Sequence, residues 1–331
     1  MFRFLMKLAA TAAICLPIVG VSVAQAEQLR MLNILDDRYP GTVGMSNAFV
    51  KMVEEASGGD ISFSVFGPET VPPFEQLQPV QAGVFDIHFA YPVFHAGIST
   101  MGVGLETTTP DPVAYRESGI WDLFDRHYQS LGLKLISLPT SHGIHFVMRE
   151  PLDGKDFTGL KIRGNPQTHI YIKALGGAPV VMPPGEIYSS FDKGVMDGAS
   201  YPILGALGFK WHEVACCFTR PWFGALPHLI LMNMDKWNAL TAEQQALLLE
   251  QGRKLELEVR DTFTEWGEEE EKKLIELGMK ETQFTDEAYG RLIDAFTEGT
   301  WSFAASRDPD VTAELKKLAE DAGLITRHWD Q

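Results

Sequence analysis

The sequence predicts an α/β protein of two lobes, joined by one helix long enough to span both. Three observations carry that expectation. Apolar strand patterns alternate with amphipathic helix patterns along the first two hundred residues. The chain has 331 residues, 45% of them hydrophobic, which is generous for one core and natural for two. Residues 241 to 278 keep helical spacing for longer than a single lobe is wide.

The chain opens "MFRFLMKLAATAAICLPIVGVSVAQA", with Arg3 and Lys7, a short Ala-rich apolar run broken by Pro17, and the small-x-small triplet Ala24-Gln25-Ala26. This reads as a secretory signal peptide over residues 1–26 rather than as an uncleaved anchor. "QLRMLNILDD" follows as a strand. "GTVGMSNAFVKMVEEASGG" reads as a helix, with Phe49, Met52 and Val53 on one face and Gly58-Gly59 as its stop. "DISFSVFGPE" alternates Ile61, Phe63 and Val65 as a strand. "EQLQPVQAGVFDIHFA" gives a short helix, a stop at Gly83 and another strand.

"LGLKLISLPT" and "IHFVMRE" are strands, and "FTGLKIR" is a third. "QTHIYIKALGG" is an amphipathic helix, "APVVMP" a strand, and "PGEIYSSFDKGVMDGAS" a helix that stops at Gly194 and returns to a strand near Val195. Two of these segments share one design, a helix followed by Gly three residues before Asp and then a strand, at Gly83/Asp86 and Gly194/Asp197. In the long helix, apolar Leu248, Leu255, Val259, Phe263, Trp266, Leu274 and Leu277 recur by threes, fours and one seven. Thr241 is its expected cap. Glu250/Lys254, Glu256/Arg260, Glu268/Lys272 and Glu269/Lys273 are expected as i,i+4 pairs on the wet side. The expected division is residues 27–140 with 228–268 in lobe 1, and 141–227 with 269–331 in lobe 2.

Charge excludes one class of partner. Loss of Arg3 and Lys7 with the leader lowers Lys+Arg from 28 to 26 against 44 Asp+Glu, so a formal charge of −16 becomes −18. Nucleic acid and anionic membrane surfaces repel such a chain. Cys15 leaves with the leader, and the adjacent Cys216 and Cys217 in "EVACCFTR" read as two small buried residues rather than a bridge. No metal cluster and no cofactor motif is present. His142-x-x-His145 lies in a strand pattern, where i and i+3 face opposite sides, and His212-Glu213 lacks the second His of a zinc-protease helix. "GMSNA" is one residue from a nucleophile elbow but opens a helix with no partnered His and Asp.

In "GLKIRGNPQTH" the strand ends on Arg163 and breaks at Gly164, Asn165 and Pro166. The carboxyl end of a strand in an open α/β sheet is where ligands bind. A lone Arg in an acidic chain also finds surface carboxylates, so both readings stand on the residues alone.

The pieces "FGPE" then "QAGVFDIHFA", "GLKIR", "LGGAPVVMPPGEIYSSFDKGVMDG" and "NMDKWNALTAEQQALL", in that order, resemble the solute-binding proteins of TRAP (tripartite ATP-independent periplasmic) transporters, of the DctP type. The resemblance covers nearly all of the chain beyond the leader. It implies a two-lobed periplasmic binding protein with the long helix spanning both lobes. It further implies that a small organic acid is captured in the periplasm and delivered to the small and large membrane subunits, with no catalysis and no cofactor. Arg163 matches the family's carboxylate-binding Arg. Tyr91, Tyr201 and Trp222 fall at pocket positions of relatives, each equally suited to a core role. His142 and His145 stand near the place where many relatives carry a second Arg or a Gln, and an imidazole there would make binding pH-dependent between about pH 5 and 8. These substitutions favour a monocarboxylate with some apolar or aromatic body. The overhanging end of the long helix offers a contact for a homodimer.

Two other readings fit less well. A periplasmic receptor that hands the same ligand to a sensor looks identical in sequence, and a secreted hydrolase lacks identifiable machinery.

Overall fold

The computed structural model describes residues 26–202, 204–327 and 329. The expected signal peptide lies outside them apart from Ala26. Among the described residues twelve strands form two sheets. The first contains β1 (Glu27–Asn33), β2 (Ile61–Phe66), β3 (Ile87–Ala90), β4 (Leu133–Ser137) and β11 (Leu229–Asn233), in the order β2-β1-β3-β11-β4. The second contains β5 (Thr140–Met148), β6 (Lys161–Arg163), β7 (Ala178–Val180), β8 (Gly198–Pro202), β9 (Cys217–Arg220), β10 (Phe223–Pro227) and β12 (Lys280–Gln283), in the order β12-β9-β5-β8-β6-β7, with β10 paired to β5. β1, β2 and β3 run parallel, as do β8, β6 and β7 and the edge pair β12 and β9; the remaining pairings are antiparallel.

The Gly-x-x-Asp design performs the same task in both sheets. Gly83 and Gly194 take positive φ, of 71° and 65°, and end their helices where a side chain would be strained. Each Asp then docks on the neighbouring parallel strand from both directions. Asp86 donates its N–H to the Arg30 carbonyl and takes the Arg30 N–H on its carboxylate at 2.8 Å. Asp197 does the same with Lys161, again at 2.8 Å. The returning strand thereby enters its sheet in register. It begins at Gly198, three residues later than Val195, because the docking consumes Asp197.

The chain passes between the sheets at Leu138-Pro139 and back at His228. These two crossings are tied to each other, the His228 N–H donating to the Pro139 carbonyl at 2.8 Å. The long helix (Ala242–Glu276) lies across both. Thr241 and Gln244 close its start as a reciprocal capping box. Its first half sits against β4: Gly252 packs so tightly that a Cβ would fall 2.4 Å from the Ile136 carbonyl oxygen, and Ser137 donates Oγ–H to the Gly252 carbonyl at 2.8 Å. Its second half serves the other sheet. Glu270 accepts the N–H groups of Gly205 and Leu207 at 2.7 and 2.8 Å, and Glu271 pairs with Arg220 at the end of β9.

Three expectations need correcting. Glu256 is not on the wet side; it is buried at the crossing, where it accepts from Arg116, from Trp121 Nε1 at 3.0 Å and from the Leu138 N–H at 2.7 Å. Arg260 pairs with Asp261 instead, and Leu277, at the helix end, is exposed. The third correction concerns Cys216 and Cys217, which are joined as a disulfide. Cys216 precedes β9 and escapes the pleat that turns successive side chains to opposite faces, so its sulfur reaches that of Cys217.

No helix among the described residues is long and apolar enough to cross a membrane.

Candidate functional site

Arg163 is the last residue of β6, in register with Val180 of β7 and Ala199 of β8. The break that follows it is steric. A Cβ on Gly164 would lie 1.7 Å from Thr168 Oγ1, so only glycine lets the chain fold back, with Gly164 N–H on the Val180 carbonyl and Thr168 Oγ–H on the Asn165 carbonyl. This turn aims the guanidinium inward, and Arg163 is 1% exposed. The surface-carboxylate reading is thereby excluded.

Among the described residues no carboxylate pairs with Arg163. Neutral oxygens hold it: Nε and Nη2 both donate to the Met182 carbonyl at 3.0 and 2.9 Å, Nη1 to the Ser200 carbonyl at 3.0 Å, and Nη2 to Asn165 Oδ1 at 3.1 Å. A guanidinium has five N–H groups, so one on Nη1 is left over. Burial lowers the group to about 10, which still leaves it cationic at neutral pH. A buried charge without an opposite charge is costly, and an anion in contact with it removes that cost.

The guanidinium faces a cavity walled from both sheets. Arg163 and Tyr201 belong to the second sheet, and Asn165, Gln167 and Thr168 to the turn after β6. Tyr39 and Tyr91 come from the segments that leave β1 and β3, and Leu35, Phe94, Pro184 and Leu226 add apolar wall. Tyr201, on β8 beside Ser200, has its hydroxyl buried without a partner among the described residues and its ring edge-on to Trp211 at 4.7 Å.

Behind the wall lies Glu106, fully buried in the turn Met101–Thr107. Its Oε1 accepts from Tyr91 Oη at 2.6 Å and from Gln167 Nε2 at 3.2 Å, while Oε2 has no partner among the described residues. Burial is the main cause that lifts its carboxyl to about 8, against the lowering effect of those two bonds. It is therefore neutral at pH 7 and leaves the charge of Arg163 unopposed. Tyr39 Oη meets His228 Nε2 at 2.7 Å, and His228 Nδ1 meets the Leu226 carbonyl at 3.0 Å. A carbonyl only accepts, so Nδ1 carries the ring proton and Nε2 takes the Tyr39 hydroxyl proton. The imidazole stacks on Phe89 at 5.3 Å and Tyr91 at 5.4 Å, and burial holds it down at about 4.

Of the residues singled out in the sequence, the structure brings Arg163, Tyr91 and Tyr201 to this cavity. His145 and Trp222 line a neighbouring one, which shares Tyr39, Pro202 and Leu226 with the first and also contains the Arg220–Glu271 pair. His145 is no pH sensor: its Nδ1 lies 2.9 Å from the Thr219 carbonyl and burial lowers it to about 3, far below the expected window. The side chain of His142 lies outside the described residues; its backbone pairs with Ala225. Among the described residues, no group of three His, Cys, Asp or Glu side chains could hold a metal ion.

Sequence reading missed Tyr39, Glu106, Gln167 and His228. Two of them left a trace. Glu106 is a lone carboxylate within the uncharged run "MGVGLETTT", and Gln167 stands four residues past Arg163 on the same turn.

A family model described as bacterial extracellular solute-binding protein, family 7 (DctP), matches residues 34–306. A protein of Albidiferax ferrireducens named solute-binding protein is 25% identical over 224 residues, which are 63% of this chain; the match spans 65% of that relative's length, just under two thirds. Among solved structures, DctP7 of Bordetella pertussis, an extracytoplasmic solute receptor binding pyroglutamic acid, superposes with a TM-score of 0.80 at 16% identity, covering 89% of this chain and 100% of that one. A TRAP periplasmic solute-binding protein of Desulfovibrio salexigens with bound orotic acid gives a TM-score of 0.80 at 18% identity, covering 89% and 98%. At such identities the likeness is one of fold.

Proposed function

The chain belongs to family 7 of the bacterial extracellular solute-binding proteins, the DctP family, and on that premise we propose that it captures a small organic acid in the periplasm and delivers it to the membrane subunits of a TRAP transporter. The observation that carries this reading is the buried guanidinium of Arg163, which faces the cavity and pairs with no carboxylate among the described residues. A carboxylate bound end-on takes the spare N–H of Nη1 and displaces Asn165 Oδ1 from Nη2. Two charge-assisted bonds result, each contributing about 1.5–3 kcal/mol. The acids named for the two solved relatives are of this class. The apolar and aromatic wall suits a monocarboxylate with an apolar body.

Walls from two sheets mean that a ligand gains its full contacts only when both close on it, and ligand binding favours the closed arrangement to that extent. The crossings at Leu138-Pro139 and His228 are the segments about which the sheets would turn. No reaction is assigned to the site. Tyr91 and Tyr201 act as ligand contacts in this reading, and His145 and Trp222 as walls of the adjoining space.

Arg163→Lys tests it. The variant keeps the charge but loses the planar fork, and should bind the cognate acid, identified by a thermal-shift screen of small organic acids, at least tenfold more weakly by calorimetry. Affinity equal to wild type in both Arg163→Lys and Arg163→Ala refutes the assignment.

A further inference from the structure

The direction of the hydrogen bonds around the cavity constrains the ligand beyond its carboxylate. Tyr39 has given its hydroxyl proton to His228, because the other ring nitrogen is committed to the Leu226 carbonyl. Tyr91 has given its proton to Glu106 Oε1. Gln167 turns its amide nitrogen to the same carboxyl oxygen, which leaves its own Oε1 buried and without a partner among the described residues. These three residues line the cavity, so this part of its wall turns the lone pairs of three oxygens to a ligand, and its one uncommitted hydrogen is the second N–H of the Gln167 amide. The other donors gather around the guanidinium: the remaining N–H of Arg163, the side-chain amide of Asn165, whose oxygen alone is taken by Arg163, and, without a partner among the described residues, the hydroxyl of Tyr201, next to Ser200 whose carbonyl holds the guanidinium.

We propose that the acid held at Arg163 carries a hydrogen-bond donor, O–H or N–H, on the part that faces Tyr39, Tyr91 and Gln167, and carries no second carboxylate there. This rests on the reading of Arg163 as the carboxylate site and adds the substrate class: a hydroxy-, amino- or amido-monocarboxylic acid. A donor satisfies the buried Gln167 oxygen that is otherwise left unpaired. An ether or a second carboxylate sets lone pairs against lone pairs in a desolvated space, and sites built this way reject the wrong hydrogen-bond polarity strongly.

The test is calorimetric titration at pH 7 with two matched sets: 4-hydroxybenzoate, 4-methoxybenzoate and terephthalate; and 4-hydroxybutyrate, 4-methoxybutyrate and glutarate. In at least one set, the hydroxy acid should bind tenfold or more tightly than both its ether and its dicarboxylate. Tyr91→Phe, which removes one acceptor and keeps the ring, should shrink the hydroxy-to-methoxy ratio fivefold or more. A residue that merely supported the wall would weaken both acids alike. Arg163→Lys should weaken all members and leave that ratio unchanged.

Arg163-dependent binding in which the ether or dicarboxylate equals the hydroxy acid overturns the proposal and leaves the carboxylate site standing. A hydroxy-to-methoxy ratio that survives Tyr91→Phe intact also overturns it. Failure of every member to bind in an Arg163-dependent way overturns both readings.

Discussion

Replacing Glu106 by Gln isolates the electrostatic claim on which anion binding depends. Gln keeps an acceptor for Tyr91 and Gln167 in the same volume but cannot ionise. In the wild type the folded-state carboxyl titrates at about 8 against an ordinary value of 4.5. Between these values the folded state holds a proton that the unfolded chain has released, so stability falls as pH rises through the window. At 1.36 kcal/mol per pH unit the full effect is roughly 5 kcal/mol, and the part lost between pH 6 and pH 9 is roughly 2.5 kcal/mol. Urea unfolding at pH 6, 7, 8 and 9 should show the variant gaining on the wild type by about that amount across the interval. Glu270, lifted to about 7 by burial, titrates in both proteins and cancels in the comparison. Affinity for the cognate acid should fall in the wild type above pH 8, where an ionised Glu106 opposes the bound anion, and stay level in Glu106→Gln. Parallel stability profiles from pH 6 to pH 9 would show that the carboxyl ionises without penalty in the folded protein, and the unopposed charge on Arg163 would then no longer follow.

Gly252→Ala should cost about 1–3 kcal/mol in urea unfolding with an unchanged m value, because the new methyl meets the fixed Ile136 carbonyl rather than a movable side chain. Glu256→Ala strands the Leu138 N–H, the Trp121 indole N–H and Arg116 at the crossing. The expected loss is about 3 kcal/mol, less than a fully buried pair because Arg116 is partly solvated; a loss under 1 kcal/mol would mean that the crossing is held by packing alone. His145→Ala should leave the pH dependence of ligand affinity between pH 5 and 8 unchanged, since the ring stays neutral there; a changed profile would place a protonated imidazole at the site.

Local chemistry was readable along the chain because its causes are local. Periodicity marked the strands and the long helix. Glycine marked the helix stops at Gly83 and Gly194, and the Gly-Asn-Pro break marked the strand end that carries Arg163. The error at Glu256 arose where long-range packing overrode local spacing. Counting i,i+4 spacing placed Glu256 in water, whereas tertiary packing turned that part of the helix onto the crossing and gave the carboxylate three donors there.

The amino-acid order alone settled the class of the fold, the length of the spanning helix and the position of one guanidinium at the end of a strand, since each follows from spacing and residue type within a few neighbours. Folding decided what that guanidinium faces. Tyr39, Tyr91 and Gln167 line a single cavity, with Glu106 and His228 bonded to them from behind, although these residues lie up to 189 apart in sequence. Whether Arg163 would find a counter-ion, whether Glu106 would keep its proton, and which way each tyrosine would point its hydrogen all depend on burial and on partners supplied by distant segments. Desolvation and hydrogen-bond direction belong to the assembled cavity, and no stretch of sequence carries them.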